Sequence, residues 1–109
     1  MGVFTVGQIV LVPFPYADLT KFKKRPAVVI GNAEFNNLIL CQITSNVHTS
    51  QRALALTDDD FKEGSLPVRS FVRPDKLFTI EHSIIETKLG SLKTSKTEDV
   101  KEAVRSLFN

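Results

Sequence analysis

The stretch KKRPAVVIG, Lys23 to Gly31, sets three cations against a proline and then turns sharply apolar. A guanidinium stays charged at any physiological pH, and its planar fork can hold two phosphate oxygens at once. Arg25, next to Pro26 at the mouth of an apolar strand, is therefore suited to grip an anion, and Lys23 and Lys24 to attract one. Further on, Thr44 and Ser45 stand at the end of the apolar run LILCQIT, where each hydroxyl can donate to a phosphate oxygen. In FVRPDK, Arg73 and Asp75 are two residues apart, which on a strand turns both to one side. A carboxylate beside a cation there can serve as a base. Each group also has a plainer reading: a solubilising cluster, a pair of turn caps and a structural ion pair.

Those side chains need rigid elements beneath them. QIVLVPF reads as a strand that meets Pro13 and Pro15. PYADLTKFKKR reads as a loop, with Asp18 and Thr20 suited to a turn. Pro26 cannot donate to a ladder, so PAVVIG is expected to start at that proline and end at Gly31. After the turn-rich NAEFNN, LILCQIT is apolar enough to be buried on both faces. SNVHTSQ reads as a loop, RALALT as a weak strand, and DDDFKEG as a turn or one short helical turn. VRSFVRPDKLFTI reads as one or two strands interrupted by Pro74. The tail differs: Ser95 and Glu98 stand at capping-box spacing, and Val100, Ala103, Val104, Leu107 and Phe108 recur on one helical face. The expectation is a mainly β protein, a small bent antiparallel sheet or half-open barrel closed by a C-terminal helix.

Composition narrows the classes. A chain of 109 residues is expected to form one domain, residues 1–109, and 42% hydrophobic with 24% charged residues excludes a disordered or fibrous chain. The formal net charge of +2 does not by itself imply an anionic partner. Placement matters more: Lys21, Lys23, Lys24 and Arg25 fall together, whereas Asp58, Asp59 and Asp60 form an acidic run elsewhere. Cys41, the single cysteine, lies inside an apolar run and reads as a small buried hydrophobe rather than a nucleophile. His48 and His82 are far apart and belong to no Cys/His cluster, so neither metal nor cofactor is expected. The opening MGVFTVGQIV lacks the pattern of a signal peptide, and no apolar run approaches the ~18 residues that span a bilayer. A cytoplasmic location without membrane contact is the expectation.

Four ordered stretches resemble the MazF/PemK/Kid family of toxin endoribonucleases. They are VGQIVLVPFPYADLTKFKKRPAVVI, CQITSN, FVRPDKLFTIE and LGSLKTSKTEDVKEAVRSLF, and together they cover nearly the whole chain. The resemblance implies an SH3-like barrel of the CcdB/MazF type, a homodimer, and metal-independent cleavage of single-stranded RNA. It also implies a cognate antitoxin, expected to block the site with an acidic C-terminal segment. It assigns Thr44 to the catalytic threonine, with Arg25, Arg73 and Asp75 as the other catalytic residues. Lys23, Lys24, Ser45 and Asn46 are expected to contact RNA. The chemistry would use the RNA's own 2′-hydroxyl as nucleophile, with Arg25 stabilising the phosphorane and the general acid unassigned.

Two residues depart from the family pattern. Gln8 stands where an acidic residue often follows glycine, and the first loop lacks the histidine of the Kid branch, for which His48 could compensate. Two other functions fit the same fold: a non-catalytic RNA- or protein-binding module, and a CcdB-like toxin directed at DNA gyrase. The combination of Arg25, Thr44 and Asp75 argues against both.

Overall fold

The computed structural model describes residues 4–15 and 22–109. Asp18, Thr20 and Lys21 lie outside the described residues. Within them the chain forms strands β1 (Gln8–Pro15), β2 (Phe22–Asn32), β3 (Asn37–Thr44), β4 (Leu54–Leu56), β5 (Phe61–Gly64), β6 (Ser70–Glu81) and β7 (Thr87–Leu92), followed by helix α1 (Thr94–Ser106). All pairings are antiparallel, in the order β4-β6-β3-β2-β1-β7-β5.

That order forces curvature. The two edge strands, β4 and β5, are consecutive in the chain and separated only by residues 57–60. Six inter-strand steps of about 4.8 Å would hold the edges of a flat sheet roughly 29 Å apart. So short a connection spans about 17 Å even when fully extended. The sheet must therefore curl until its edges approach, which yields the half-open barrel expected from the sequence.

β1 and β2 outrun their neighbours. β7 pairs with β1 only as far as Leu11, and β3 with β2 only as far as Ala27. Beyond these points residues 12–15 and 22–25 pair, among the described residues, only with each other, as a two-stranded ribbon. The expected loop is corrected here: Phe22 to Arg25 are strand, and Pro26 lies inside β2 rather than at its start. β1 likewise runs through Pro13 and ends at Pro15. All three prolines stand where, among the described residues, one edge of their strand has no neighbouring strand, so a missing N–H leaves no ladder broken on that side.

Two apolar layers sandwich the central strands. Ile9, Val28, Cys41, Ile43, Val72 and Leu92 pack with Val100 of α1 on one face. Val10, Val12, Ala27, Val29, Leu38 and Leu40 pack on the other. β3 is thus buried on both faces, as its unbroken apolar run suggests. β6 is one continuous strand, but between Cys41 and Gln42 its register jumps from Leu77 to Arg73, so Pro74, Asp75 and Lys76 bulge out of the ladder. Within DDDFKEG a 3-10 turn (Asp58–Asp60) leads into β5, a strand disguised by its exposed Lys62 and Glu63.

The helix begins earlier than its polar pattern suggests. Lys93 is the N-cap and makes no side-chain cap, so the capping box of Ser95 and Glu98 does not form. Instead the Thr97 hydroxyl donates to the Lys93 carbonyl at 3.1 Å. Thr97 and Val100 are buried and Ala103, Val104 and Leu107 half-buried. Phe108 lies past the helix end, exposed, and does not extend the apolar face. No helix among the described residues is long and apolar enough to cross a membrane.

The β2–β3 hairpin turns at Phe35 and Asn36, both in the left-handed region with φ of 59° and 64°. Successive positive φ values mark a tight type I′ turn, which suits the twist of the strands it joins. Asparagine tolerates that region, whereas phenylalanine is seldom placed there. The Phe35 ring is 85% exposed and contributes no burial in return.

Candidate active site

β2 and β3 separate just beyond the pair Ala27–Gln42. Carried on by two residues, their register would set Arg25 opposite Thr44. The strands part there, and the gap opens into a cavity of about 300 Å³. Lys23, Lys24 and Arg25 enter its lining from β2, and Thr44 and Ser45 from the end of β3. Leu11, Ile43 and the segment Leu66–Val68 supply apolar walls. Five of the eight residues expected at the site therefore meet in one concavity.

Their bonding states differ. The Thr44 hydroxyl oxygen accepts the N–H of Asn46 at 3.1 Å, which leaves its own proton free to donate. The Asn46 side-chain oxygen accepts the N–H of His48 at 2.9 Å, so that oxygen holds the loop, and Asn46 is not part of the cavity lining. Lys24 is shared with Glu86, 3.2 Å away across an exposed surface. Lys23 is exposed. Arg25 is half-buried and forms no ion pair with another described residue. Its register partner Val12 is fully buried, so the guanidinium rises from a stiff base.

Arg73 and Asp75 form a separate unit. Arg73 donates from Nε to Oδ1 at 2.9 Å and from Nη2 to Oδ2 at 2.7 Å, and from Nη1 to the Thr49 hydroxyl at 3.0 Å. These hydrogen bonds hold the Asp75 carboxyl below the usual carboxylate range, against a smaller desolvation effect that raises it. The pair does not line the cavity. It is nevertheless close to it in the sheet. Gln42 pairs with both Ala27 and Arg73, and Thr44 pairs with Phe71, so by strand alternation Arg25, Thr44, Phe71 and Arg73 belong to one face.

Cys41 is fully buried, and its thiol is pushed up to about 12 by burial and then by the Asp75 charge. It is packing, as read from the sequence. His48 is exposed and outside the cavity lining. Among the described residues no group of three or more His, Cys, Asp or Glu is arranged to hold a metal ion.

Arg69 was missed by sequence reasoning. Its guanidinium lies over the Phe71 ring, 5.5 Å from the centroid, and Phe71 is the strand partner of Thr44. The available signal was the spacing of Arg69, Phe71 and Arg73 at every second residue, with Arg69 just ahead of β6.

A family model described as PemK-like, MazF-like toxin of type II toxin–antitoxin system matches residues 5–108. Among solved structures, the fold is similar to that of MazE-MazF from Deinococcus radiodurans, at 21% identity over 98% of this chain and 97% of that one, with a TM-score of 0.76. It is similar to MazF from the same organism, at 23% identity, 99% and 98% coverage and a TM-score of 0.74. It is also similar to an endoribonuclease in complex with its cognate antitoxin from a mycobacterial species, at 14% identity, 97% and 95% coverage and a TM-score of 0.75. A comparison with curated proteins gave no match. At these identities the solved structures speak for the fold, which is the one the sequence resemblance implied.

Proposed function

The chain belongs to the PemK-like, MazF-like family of toxins of type II toxin–antitoxin systems, and on that premise we propose that it is an endoribonuclease acting on single-stranded mRNA. The observation that carries this reading is the meeting of Lys23, Lys24, Arg25, Thr44 and Ser45 in one cavity, where cations and hydroxyls converge on a space fit for a phosphate. A purely structural surface cluster has no need of that convergence.

In this reading the 2′-oxygen of one nucleotide attacks its own 3′-phosphorus. The bond to the 5′-oxygen of the next nucleotide breaks, leaving 2′,3′-cyclic phosphate and 5′-hydroxyl ends. Negative charge builds on the phosphorane oxygens, and preorganised donors lower that barrier most. Arg25 supplies the charged fork and Thr44 a neutral O–H. Asp75, ionised at neutral pH, takes the 2′-hydroxyl proton. Each of its oxygens keeps a lone pair beyond the one that Arg73 engages. Arg73 adds a second positive charge on the same sheet face. Arginine holds its protons too tightly to act as the acid, so the departing 5′-oxygen takes its proton from solvent. Lys23, Lys24, Ser45 and Asn46 contact the flanking strand.

We assign two protein partners on the same footing. A second copy, related by a two-fold axis, lengthens the groove. A cognate antitoxin closes it with an acidic C-terminal segment.

Incubation of the purified protein with end-labelled RNA in chelator tests this. Cyclic-phosphate ends appearing in proportion to enzyme support it. Binding without cleavage points to a non-catalytic module, and gyrase inhibition without RNA binding to a CcdB-like toxin.

A further inference from the structure

The segment Leu66–Ser70 has a cavity on each side. The first is the one that holds Arg25 and Thr44; the second, of about 400 Å³, lies toward β4 and β5. Leu66, Pro67, Val68 and Ser70 line both. The dividing wall is stiff. Pro67 fixes its own φ, and the buried Ser70 donates its hydroxyl to the Val68 carbonyl at 2.9 Å. Val68 is 58% exposed, an apolar crest between two hollows.

Chemically the second cavity is unlike the first. Leu56 and Phe61 give it apolar, partly aromatic walls, and two charged residues enter it, Asp58 and Arg69. The other acids of the run have different circumstances. Asp60 accepts from the Thr57 N–H at 2.8 Å and pairs with Lys96 at 3.5 Å, and Asp59 lines neither cavity. The Asp58 side chain makes no hydrogen bond or ion pair with another described residue.

We propose that this second cavity is a nucleobase subsite, specific for guanine, for a nucleotide adjacent to the scissile one. The proposal rests on the RNA-cleaving reading above. Apolar and aromatic walls suit the faces of a base, whose stacking is tolerant of sequence. Selection comes from Asp58, because an ionised carboxylate only accepts hydrogen bonds. Guanine alone presents two donors side by side on its pairing edge, N1–H and N2–H, which match two carboxylate oxygens. Adenine and cytosine set an acceptor beside their amino group, and uracil flanks its single N–H with two carbonyls. Each of these turns an oxygen or a lone pair toward the carboxylate. Arg69, held over Phe71 one strand from Thr44, reaches the phosphate that joins the two nucleotides. Val68 separates their bases.

The test is end-sequencing of a randomised RNA pool after limited digestion by the wild type, Asp58→Asn, Asp59→Asn and Arg69→Ala, each checked by thermal melting. The expected wild-type profile has guanine at one position next to the cut. Asp58→Asn exchanges a charged acceptor for an amide and should reduce the preference for guanine by about tenfold or more. Asp59→Asn should keep the wild-type profile. Arg69→Ala should lower cleavage at every sequence while keeping the guanine preference. A protein that cuts RNA with no guanine preference beside the cut, or whose preference survives Asp58→Asn, overturns the subsite and leaves the nuclease reading intact. If the chain binds RNA without cutting it, 2′-deoxy oligonucleotides differing at one base give the same comparison through their affinities. If it neither binds nor cuts RNA, the nuclease reading fails and the subsite falls with it.

Discussion

Arg73 holds Asp75 through both carboxylate oxygens, at 2.9 and 2.7 Å. The hydrogen bonds keep the Asp75 carboxyl more acidic in the folded chain than in the unfolded one. The sign of the linkage follows: the contribution to stability is present above the unfolded value, about 4, and is lost as pH falls through the lower folded value. Asp75→Asn should therefore melt below the wild type at neutral pH, and the gap should close below about pH 4. Melting curves across that range check it. A gap of constant size would mean that the pair does not act through charge.

Arg25 and Thr44 should separate by magnitude. Loss of one preorganised donor to a developing oxyanion costs roughly 10²–10³ in rate. Arg25→Ala should fall by about that factor with an unchanged melting temperature, and Thr44→Ala by less, because a neutral donor is weaker than a charged one. Single-turnover rates decide this. A folded Arg25→Ala protein with near wild-type cleavage removes Arg25 from the reacting centre.

Lys23 and Lys24 should act on affinity. Replacing Lys23 with Ala should weaken binding to all RNA sequences alike and make the log–log salt slope shallower by about 0.7, the value for one single-strand phosphate contact. Lys24 already shares its charge with Glu86. Glu86→Gln should thus tighten RNA binding by freeing that lysine. Titrations at several salt concentrations measure both, and a large fall in saturated turnover for Lys23→Ala would contradict a role in attraction alone.

The strained hairpin tip offers a stability test. Phe35 sits at φ 59° with its ring in solvent, so little packing is lost on replacement. Phe35→Asn, which suits a left-handed turn position, should stabilise the protein by about 1 kcal/mol. Chemical denaturation reads it directly. A loss of stability would show that the exposed ring is engaged in an assembly.

Assembly and inhibition make the fifth prediction. The protein should sediment as a dimer at micromolar concentration, with an isologous seam. An acidic partner that folds on binding should compete with RNA for the cationic ribbon. Simultaneous binding of partner and non-cleavable RNA without mutual weakening would rule out occlusion.

Much of the architecture was legible because burial writes itself into apolar runs: β3 and the buried face of α1 follow from Leu38–Ile43 and Val100–Val104. Errors arose where a residue's local rule depends on a neighbour that is distant in the chain. Pro13 and Pro26 look like strand boundaries, yet they lie within strands because β7 and β3 stop short of them, and β1 ends only at Pro15. Ser95 looks like a cap, but the turn begins at Lys93. The site divides in the same way. Arg25 and Thr44 were legible from their motifs as members of one set with Asp75, and the Arg73–Asp75 contact from its spacing. The place of Leu66–Ser70 between two cavities was not, since it depends on how far the sheet curls. Nor was the separation of Arg73, Asp75 and Asn46 from the cavity lining.

Cys41 has one further consequence. A lone thiol at the centre of the sheet, fully covered and hard to ionise, cannot meet a reagent while the barrel is closed. Alkylation must wait for β3 to come away from its neighbours, so its rate counts openings of the core. Anything that binds only the closed form slows that clock in proportion to its occupancy. The molecule therefore carries a built-in gauge of its own occupancy, one that a single mass shift can read.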